Sequence, residues 1–153
     1  MKIRILCVGK IKEDFYRKKL EEYSKQINKQ YTFEIIEVED EKTQEQLSDV
    51  ERDKILRIEG ERLLKYLKQE TGDYVVALCI NGRKYTTAEW TEVLKKRILQ
   101  QEYRQVTYVI GGSLGLDASV VKLADTKLSF SDLTFPHQLM RVILAEQILT
   151  CSI

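Results

Sequence analysis

The amino-acid sequence predicts an α/β fold, a mostly parallel β-sheet with helices on both of its faces. Residues 3–8 and 74–80 are nearly uninterrupted apolar runs, which is typical of strands covered on both faces. Strand-like segments alternate with segments of helical periodicity from one end of the chain to the other. Because repeated strand-then-helix units favour parallel strands joined by helical crossovers, this alternation indicates the fold class.

Three further segments complete a predicted sheet of five strands. Residues 33–38 partly alternate between apolar and charged side chains, as expected for an edge strand with one wetter face. Residues 106–110 form a strand-like run directly before a glycine-rich segment, and residues 127–130 form a short last strand. The stretch most typical of a loop is 39–47.

The first two helices are predicted from apolar residues at helical spacing. Ser48 and Glu51 have the spacing of a capping box, which places the start of the second helix. Gly60 lies within the apolar stripe of that helix, where two elements are expected to pack closely. The stripes consist of Tyr16, Leu20, Tyr23 and Ile27 in the first helix and of Leu56, Leu63, Leu64 and Leu67 in the second.

A tight turn is predicted at Asn81-Gly82, ahead of the third helix. Thr86 and Glu89 have capping-box spacing at the start of that helix. Asp117 is the expected N-cap of a short fourth helix that runs through Leu123. The third helix carries Trp90, Val93, Leu94 and Arg97.

The fifth helix is apolar almost all round. Pro136 suits its first turn, because proline lacks the N–H that a helix start leaves unpaired. A helix of this composition is buried on more than one side. In so small a domain, part of its surface is expected to face another subunit, which predicts a homodimer packed through this helix. Its apolar residues are Leu139, Met140, Val142, Ile143, Leu144, Ala145, Ile148 and Leu149.

Length and composition predict one domain, residues 1–153, of a soluble protein. Apolar residues make up 43% of the 153 residues and charged residues 32%, and no apolar run approaches the length of a membrane span. A cytoplasmic location is therefore expected. Cys7, Cys79 and Cys151 are odd in number and widely spaced, and there is one histidine, so neither a disulfide framework nor a metal site is expected.

The charge is nearly balanced overall but unevenly distributed. The net charge of +1 does not by itself indicate nucleic-acid binding. Residues 1–19 carry seven lysines and arginines against two carboxylates, and residues 34–51 carry eight carboxylates against Lys42. Such segments either steer an RNA partner or are simply solvated surfaces, and the charge pattern alone favours the second interpretation.

The residues 111–115, Gly-Gly-Ser-Leu-Gly, directly follow a predicted strand. Glycines in this place let backbone approach a ligand closely, because no Cβ intervenes. The segment lacks the Gly-Lys-Ser/Thr of a phosphate loop and the glycine spacing of a dinucleotide fingerprint, and a mere tight turn is an equal alternative. With the polar loop before Pro136, however, it predicts a small-molecule site at the ends of two strands.

Candidate catalytic chemistry is sparse. His137, in the first turn of a helix, is either a general base or a structural residue that bonds the loop. Ser113, Ser129 and Ser131 have no partner base visible in the sequence, which disfavours a hydrolase. A generic nucleotide-binding protein of the flavodoxin-like kind is a separate hypothesis, and such a flavoprotein would be yellow.

Three segments together resemble the bacterial RlmH family, the small SPOUT-class methyltransferases that methylate N3 of a pseudouridine in helix 69 of 23S ribosomal RNA. Residues 1–13 read Met-Lys-Ile-Arg-Ile-Leu-Cys-Val-Gly-Lys-Ile-Lys-Glu, and residues 110–116 read Ile-Gly-Gly-Ser-Leu-Gly-Leu. Residues 128–147 read Leu-Ser-Phe-Ser-Asp-Leu-Thr-Phe-Pro-His-Gln-Leu-Met-Arg-Val-Ile-Leu-Ala-Glu-Gln. The resemblance covers nearly the whole chain as far as Gln147.

The resemblance implies a C-terminal trefoil knot, a homodimer, S-adenosylmethionine as methyl donor, and 23S rRNA in the ribosome as partner. It also implies that three segments at the knot hold the cofactor. All three follow predicted strands, and α/β sheets bind ligands at the carboxyl ends of their strands. The implied cofactor-binding residues are Leu78, Gly111, Phe130, Ser131, Asp132, Leu133, Thr134 and Phe135.

The sequence departs from the family pattern near its end. Members typically continue Glu-Gln-(apolar)-Tyr-Arg-Ala and finish with a glycine-rich turn and Tyr-His-Lys, whereas here Ile148 is followed by Leu-Thr-Cys-Ser-Ile. No catalytic residue is therefore carried over from the family. Two hypotheses result: an active methyltransferase, or a catalytically impaired homologue that binds the cofactor and dimerises without methylating.

Overall fold

A five-stranded parallel sheet with helices on both faces forms the structure, as predicted. The computed structural model describes residues 1–42 and 45–151, so part of the predicted loop 39–47 and the last two residues lie outside it. The strand order is β2-β1-β4-β3-β5. The elements are β1 (Lys2–Val8), α1 (Asp14–Ile27), β2 (Thr32–Val38), α2 (Asp49–Leu64), β3 (Asp73–Lys84), α3 (Thr87–Val93), a π-helical segment (Leu94–Leu99), β4 (Gln105–Ile110), α4 (Ala118–Leu123), β5 (Thr126–Ser129) and α5 (His137–Thr150).

Alternate residues of the central strands face two separate cores. In β1, Ile5 and Cys7 point to the core that α1, α3 and α5 cover, while Leu6 and Val8 point to the core under α2 and α4. All four side chains are almost completely buried. This accounts for the continuous apolar runs in the sequence, because a strand buried on both faces has no solvent-facing positions.

The prediction of a tight turn at Asn81-Gly82 is wrong. The strand β3 continues through these residues to Lys84. Both Leu78 and Arg83 pair with Leu128 of β5, so residues 79–82 are extra residues of β3 that have no partner in β5. A Cβ on Gly82 would lie 2.8 Å from the backbone C and O atoms of Lys127. Glycine is needed here for close approach of two backbones, and it gives the same sequence signal as a turn.

The helix starts are predicted well, and the third helix is not wound as expected. Thr86 and Glu89 form a complete capping box at the start of α3, and the Ser48 hydroxyl accepts from the backbone N–H of Glu51 at the start of α2. The chain then changes to π-helical winding over Leu94–Leu99, so Leu94 and Arg97 lie in that segment and not in the α-helix that the sequence predicts. Side-chain periodicity does not distinguish the two windings over so short a stretch.

The fourth helix begins and packs as the sequence indicated. Asp117 is its N-cap and accepts from the backbone N–H of Ser119. A Cβ on Gly60 would lie only 2.9 Å from the Cβ of Asp117, so Gly60 allows α2 to approach the start of α4.

Arg141 fixes α5 against the carboxyl end of β1. Its side chain is completely buried; Nη2 donates to the carbonyls of Val8 at 2.7 Å and Gly9 at 2.8 Å, and Nη1 pairs with Glu37 at 2.8 Å. With Leu144, Ala145 and Ile148, Arg141 forms the buried side of the helix. The other side, with Leu139, Met140 and Ile143, is partly exposed in this chain.

No helix in the described residues is long and apolar enough to cross a membrane. The cysteines, all free in that same part of the chain, lie in or against the core: Cys7 and Cys151 are buried and Cys79 is half-buried. Burial raises the pKa of the Cys7 thiol to about 12, so this group stays protonated at physiological pH.

Candidate functional site

A cleft of about 680 Å³ opens at the carboxyl ends of β3, β4 and β5. Its walls come from three stretches: the end of β3, the glycine-rich loop after β4, and the segment that joins β5 to α5. A cleft of this volume holds a ligand the size of a nucleoside. The lining residues are Leu78, Cys79, Ile80, Ile110, Gly111, Gly112, Ser113, Leu114, Gly115, Leu128, Ser129, Phe130, Ser131, Leu133, Thr134, Phe135, Pro136, His137 and Met140.

The glycine-rich loop folds back on its own backbone. Gly112 and Gly115 form an isolated antiparallel bridge, in which the N–H of Gly115 donates to the carbonyl of Gly112 at 3.0 Å. A Cβ on Gly111 would lie 2.2 Å from the carbonyl oxygen of Gly115, and Gly115 itself has a φ of +87°. Within this chain the glycines therefore allow the backbone of the loop to contact itself, while the approach of this backbone to a ligand stays a prediction.

Ser129 and Ser131 hold the wall that follows β5. The Ser129 hydroxyl lies 2.9 Å from the carbonyl of Ile80 and 3.2 Å from that of Ser131. The Ser131 hydroxyl accepts from the backbone N–H of Leu133 at 3.0 Å. Ser129 thus fixes the loop to the end of β3, and Ser131 bonds within the loop.

Seven of the eight residues singled out from the sequence line this one cleft. The exception is Asp132, which is exposed and directs its carboxylate to Lys84 on the outside of the loop. Sequence reasoning did not single out Cys79 or Ile80 for the site, although they directly follow Leu78. Met140 also lines the cleft, although the sequence marks it only as one of the apolar residues of the fifth helix.

His137 is a half-buried titratable group at the α5 end of the cleft. Desolvation lowers the pKa of its imidazole; the charge of Arg141 and, more weakly, that of Lys12 act in the same direction, and Asp40 partly opposes them. The ring is consequently neutral at physiological pH and is able to accept a proton.

This depressed pKa predicts a pH dependence of stability. The unfolded chain, with the histidine near its ordinary pKa of 6.5, takes up a proton more readily than the folded chain does. The folded state is therefore expected to lose stability as the pH falls below about 6.5, and His137→Gln should reduce that loss. The free energy of unfolding in urea at neutral and mildly acidic pH, for both proteins, measures the difference.

His137 is the only histidine in the sequence, so the difference between the two proteins isolates its titration. Glu59, whose pKa is raised by burial, has the opposite effect on stability at low pH but is common to both proteins. Equal pH dependence in the two proteins would contradict the prediction.

No group of three or more His, Cys, Asp or Glu side chains suited to a metal ion occurs within residues 1–42 and 45–151. The cleft itself is lined mainly by backbone, small residues and apolar side chains. Its chemistry suits an organic ligand with an apolar body, gripped by hydrogen bonds to backbone.

Comparison with solved structures supports the fold. A structure from Legionella pneumophila, assigned as a methyltransferase in complex with the cofactor SAM, superposes with a TM-score of 0.54 at 9% sequence identity. The superposition covers 98% of the present chain and 66% of the Legionella chain. At this identity the likeness shows a shared fold and nothing more.

Comparison with known sequences shows the family. The family model described as "Predicted SPOUT methyltransferase" matches residues 1–151. Proteins named ribosomal RNA large subunit methyltransferase H from Streptococcus uberis and Limosilactobacillus reuteri are 44% and 43% identical over 148 residues, covering 97% of this chain and 91% of theirs. A Methanococcus maripaludis protein named as a candidate for the same function is 49% identical over 151 residues, with the same coverage. The chain thus belongs to the SPOUT methyltransferase family and, within it, to the ribosomal RNA large subunit methyltransferase H group.

Proposed function

We propose that this protein is a methyltransferase that uses S-adenosylmethionine to methylate N3 of a pseudouridine in helix 69 of 23S rRNA, within the ribosome. The observation that carries the proposal is the single cleft in which Leu78, Gly111 and most of the segment 130–135 meet. Membership of the family, through relatives named for methylation of large-subunit ribosomal RNA, supports the substrate class.

The cleft fits S-adenosylmethionine in size and in chemistry. Its volume of about 680 Å³ accommodates a nucleoside with an amino-acid extension. Backbone of the glycine-rich loop would hold adenine and ribose, and Leu78 and Phe130 would provide apolar contact. When bound, the cofactor supplies an electrophilic methyl group.

The residues of the cleft have two tasks in such a reaction. They align the target nitrogen with the methyl carbon, which is the main requirement of a displacement at carbon. They also have to accept the N3 proton, which leaves as the N–CH₃ bond forms and the S–CH₃ bond breaks. His137 is the neutral base that lines the cleft, and we propose it as the first candidate to accept this proton.

We further propose that the protein acts as a homodimer packed through α5. The side of α5 that is not buried in this chain carries Leu139, Met140 and Ile143, all partly exposed. A second copy that covers this side would remove apolar surface from water and would bring another chain beside the cleft, because Met140 also lines it. Sedimentation of the purified protein at several concentrations measures the state of association.

We also propose that the chain is a single domain with a C-terminal trefoil knot. The segment after the edge strand β5 has to cross the carboxyl ends of β3 and β4, because Arg141 is bonded at the end of β1. It does so beside the loop 111–115, with which it shares the cleft. A ribosomal substrate implies a cytoplasmic location.

Two measurements on the same preparation test the function. Calorimetric titration with S-adenosylmethionine reports binding, and transfer of labelled methyl groups to ribosomes lacking the modification, followed by mass mapping of the rRNA, reports the reaction and its position. Binding together with transfer to a single pseudouridine is the expected result. Binding without transfer would favour the alternative of a cofactor-binding homologue that does not methylate, and absence of binding would overturn the assignment of the cleft.

A further inference from the structure

A second concave surface lies beside the cofactor cleft, on the outer side of the extra residues in β3. It has a volume of about 380 Å³ and is lined by Arg83, Arg97 and Lys127, with Tyr85 and Asn81 between them. We call this surface the basic groove. Its three cations come from different parts of the chain, namely the end of β3, the π-helical segment and the edge strand β5.

The charges of the basic groove are largely uncompensated. Arg97 and Lys127 are exposed and form no ion pair with any described residue. Arg83 is 4.0 Å from Glu89 and lies over the ring of Tyr85, 4.6 Å from its centroid. Asp125 is the one carboxylate among the lining residues, and its two oxygens already accept from Lys68 at 3.0 Å and from the backbone N–H of Val75 at 2.8 Å.

Two features of the backbone bring the cations together. Gly82 lets β3 contact the backbone of β5 at Lys127, so that Arg83, the next residue, lies beside this lysine at the sheet edge. The π-helical segment buries Leu94 and Ile98 and leaves Arg97 exposed between them. Irregular winding of this kind often occurs at functional sites.

The extra residues of β3 connect the basic groove to the cofactor cleft. Of the four residues 79–82, Cys79 and Ile80 line the cleft, whereas Asn81 and Gly82 line the groove. A polyanion in the groove would therefore run along the flank of the cleft. Exposed cations that line a concave surface are a combination that binds nucleic-acid backbone.

The opposite end of the sheet provides a contrast. There another groove contains Lys2, Arg4, Lys65 and Arg104, but Lys2 pairs with Glu34 at 2.8 Å and Arg4 is bonded to Thr107 and lies near Asp73. It adjoins the amino ends of the strands, away from the cleft. Lys65 and Arg104 are exposed there without an ion pair to a described residue, and they offer a matched control.

We propose that the basic groove binds phosphates of the substrate RNA next to the nucleotide that enters the cleft. This inference rests on the proposed function and adds to it the surface on which the RNA backbone lies. Lysine at an edge strand also discourages sheet-to-sheet aggregation, but that role needs neither Arg97 nor the cavity between the three cations.

The test is the affinity of the full chain for 70S ribosomes lacking the modification, measured by co-sedimentation over a series of KCl concentrations. The double variant Arg97→Gln/Lys127→Gln is expected to raise Kd about tenfold at moderate salt and to reduce the slope of log K against log salt by about 1.5, which is about 0.7 to 0.9 for each of two lost phosphate contacts. In the methylation assay KM for ribosomes should rise while kcat and the affinity for S-adenosylmethionine stay unchanged.

The control variant Lys65→Gln/Arg104→Gln removes the same two charges from the other groove and is expected to leave Kd and its salt dependence within about twofold of wild type, as predicted for cations that contact no phosphate. If Arg97→Gln/Lys127→Gln binds ribosomes as tightly as wild type while wild type methylates them, the groove assignment is overturned and the proposed function stands. If wild type neither binds nor methylates ribosomes, both are overturned. If the two double variants weakened ribosome binding equally, the effect would come from net charge alone, and the assignment of the basic groove would also be overturned.

Discussion

Gly111→Ala is expected to weaken binding of S-adenosylmethionine by about a hundredfold or more, corresponding to about 2.7 kcal/mol. The new methyl group would lie 2.2 Å from the carbonyl oxygen and 2.4 Å from the carbonyl carbon of Gly115. Both are backbone atoms, so no rotation of a side chain relieves the contact, and the loop has to move as a whole. A displaced loop alters one complete wall of the cleft.

Calorimetric titration measures this loss, and Ser113→Ala is the matched control. Ser113 is an exposed residue of the same loop and also lines the cleft, but its substitution adds no atom. Its affinity should stay within a few-fold of wild type. The Gly111→Ala protein should remain folded, with a loss of stability of about 1–3 kcal/mol for an overpacked site. Wild-type affinity in a folded Gly111→Ala protein would show that this loop does not hold the cofactor.

Arg141→Met is expected to destabilise the fold by about 3–5 kcal/mol, the usual cost of removing one partner from a buried charged network. The guanidinium is completely buried and donates to Val8, Gly9 and Glu37. Methionine fills similar space but donates nothing, so two buried carbonyls lose their charged donor. The free energy of unfolding in urea measures the effect.

Two further substitutions separate the contributions to this network. Arg141→Lys keeps the charge but replaces a planar fork by a single ammonium, and is expected to recover only part of the loss. Glu37→Gln retains an acceptor for Arg141 and for the backbone N–H of Ile11, and Glu37 is itself one-third exposed, so a loss of only about 1 kcal/mol is expected. An Arg141→Met protein within about 1 kcal/mol of wild type would mean that the packing of α5, and not this network, holds the helix.

The sequence predicts the layers of this fold well, since strands buried on both faces, such as β1 and β3, have continuous apolar runs in the sequence. It predicts local backbone geometry less well. At Asn81-Gly82, a glycine required for contact with β5 has the same appearance as one required for a turn. The π-helical winding of Leu94–Leu99 preserves an apolar stripe and so leaves no distinct pattern.

The candidate site was predictable to the extent that it lies in segments that directly follow strands. The family resemblance singled out Leu78, Gly111 and Phe130, and the meeting of loops at the carboxyl ends of parallel strands agrees with their position in one cleft. The basic groove was not predictable in this way. Arg83, Arg97 and Lys127 become neighbours only because β5 pairs with β3, and the sequence does not encode strand order in a readable form.

The bonds of Arg141 also have a consequence for how the chain is made. Val8 and Gly9 leave the ribosome early, yet the donor for their carbonyls follows 133 and 132 residues later. Contacts of such separation form slowly, because a long loop has to close before they stabilise anything. The nascent chain therefore carries an incomplete first strand until α5 has been synthesised and has docked, and it depends on its remaining core to stay compact during that interval.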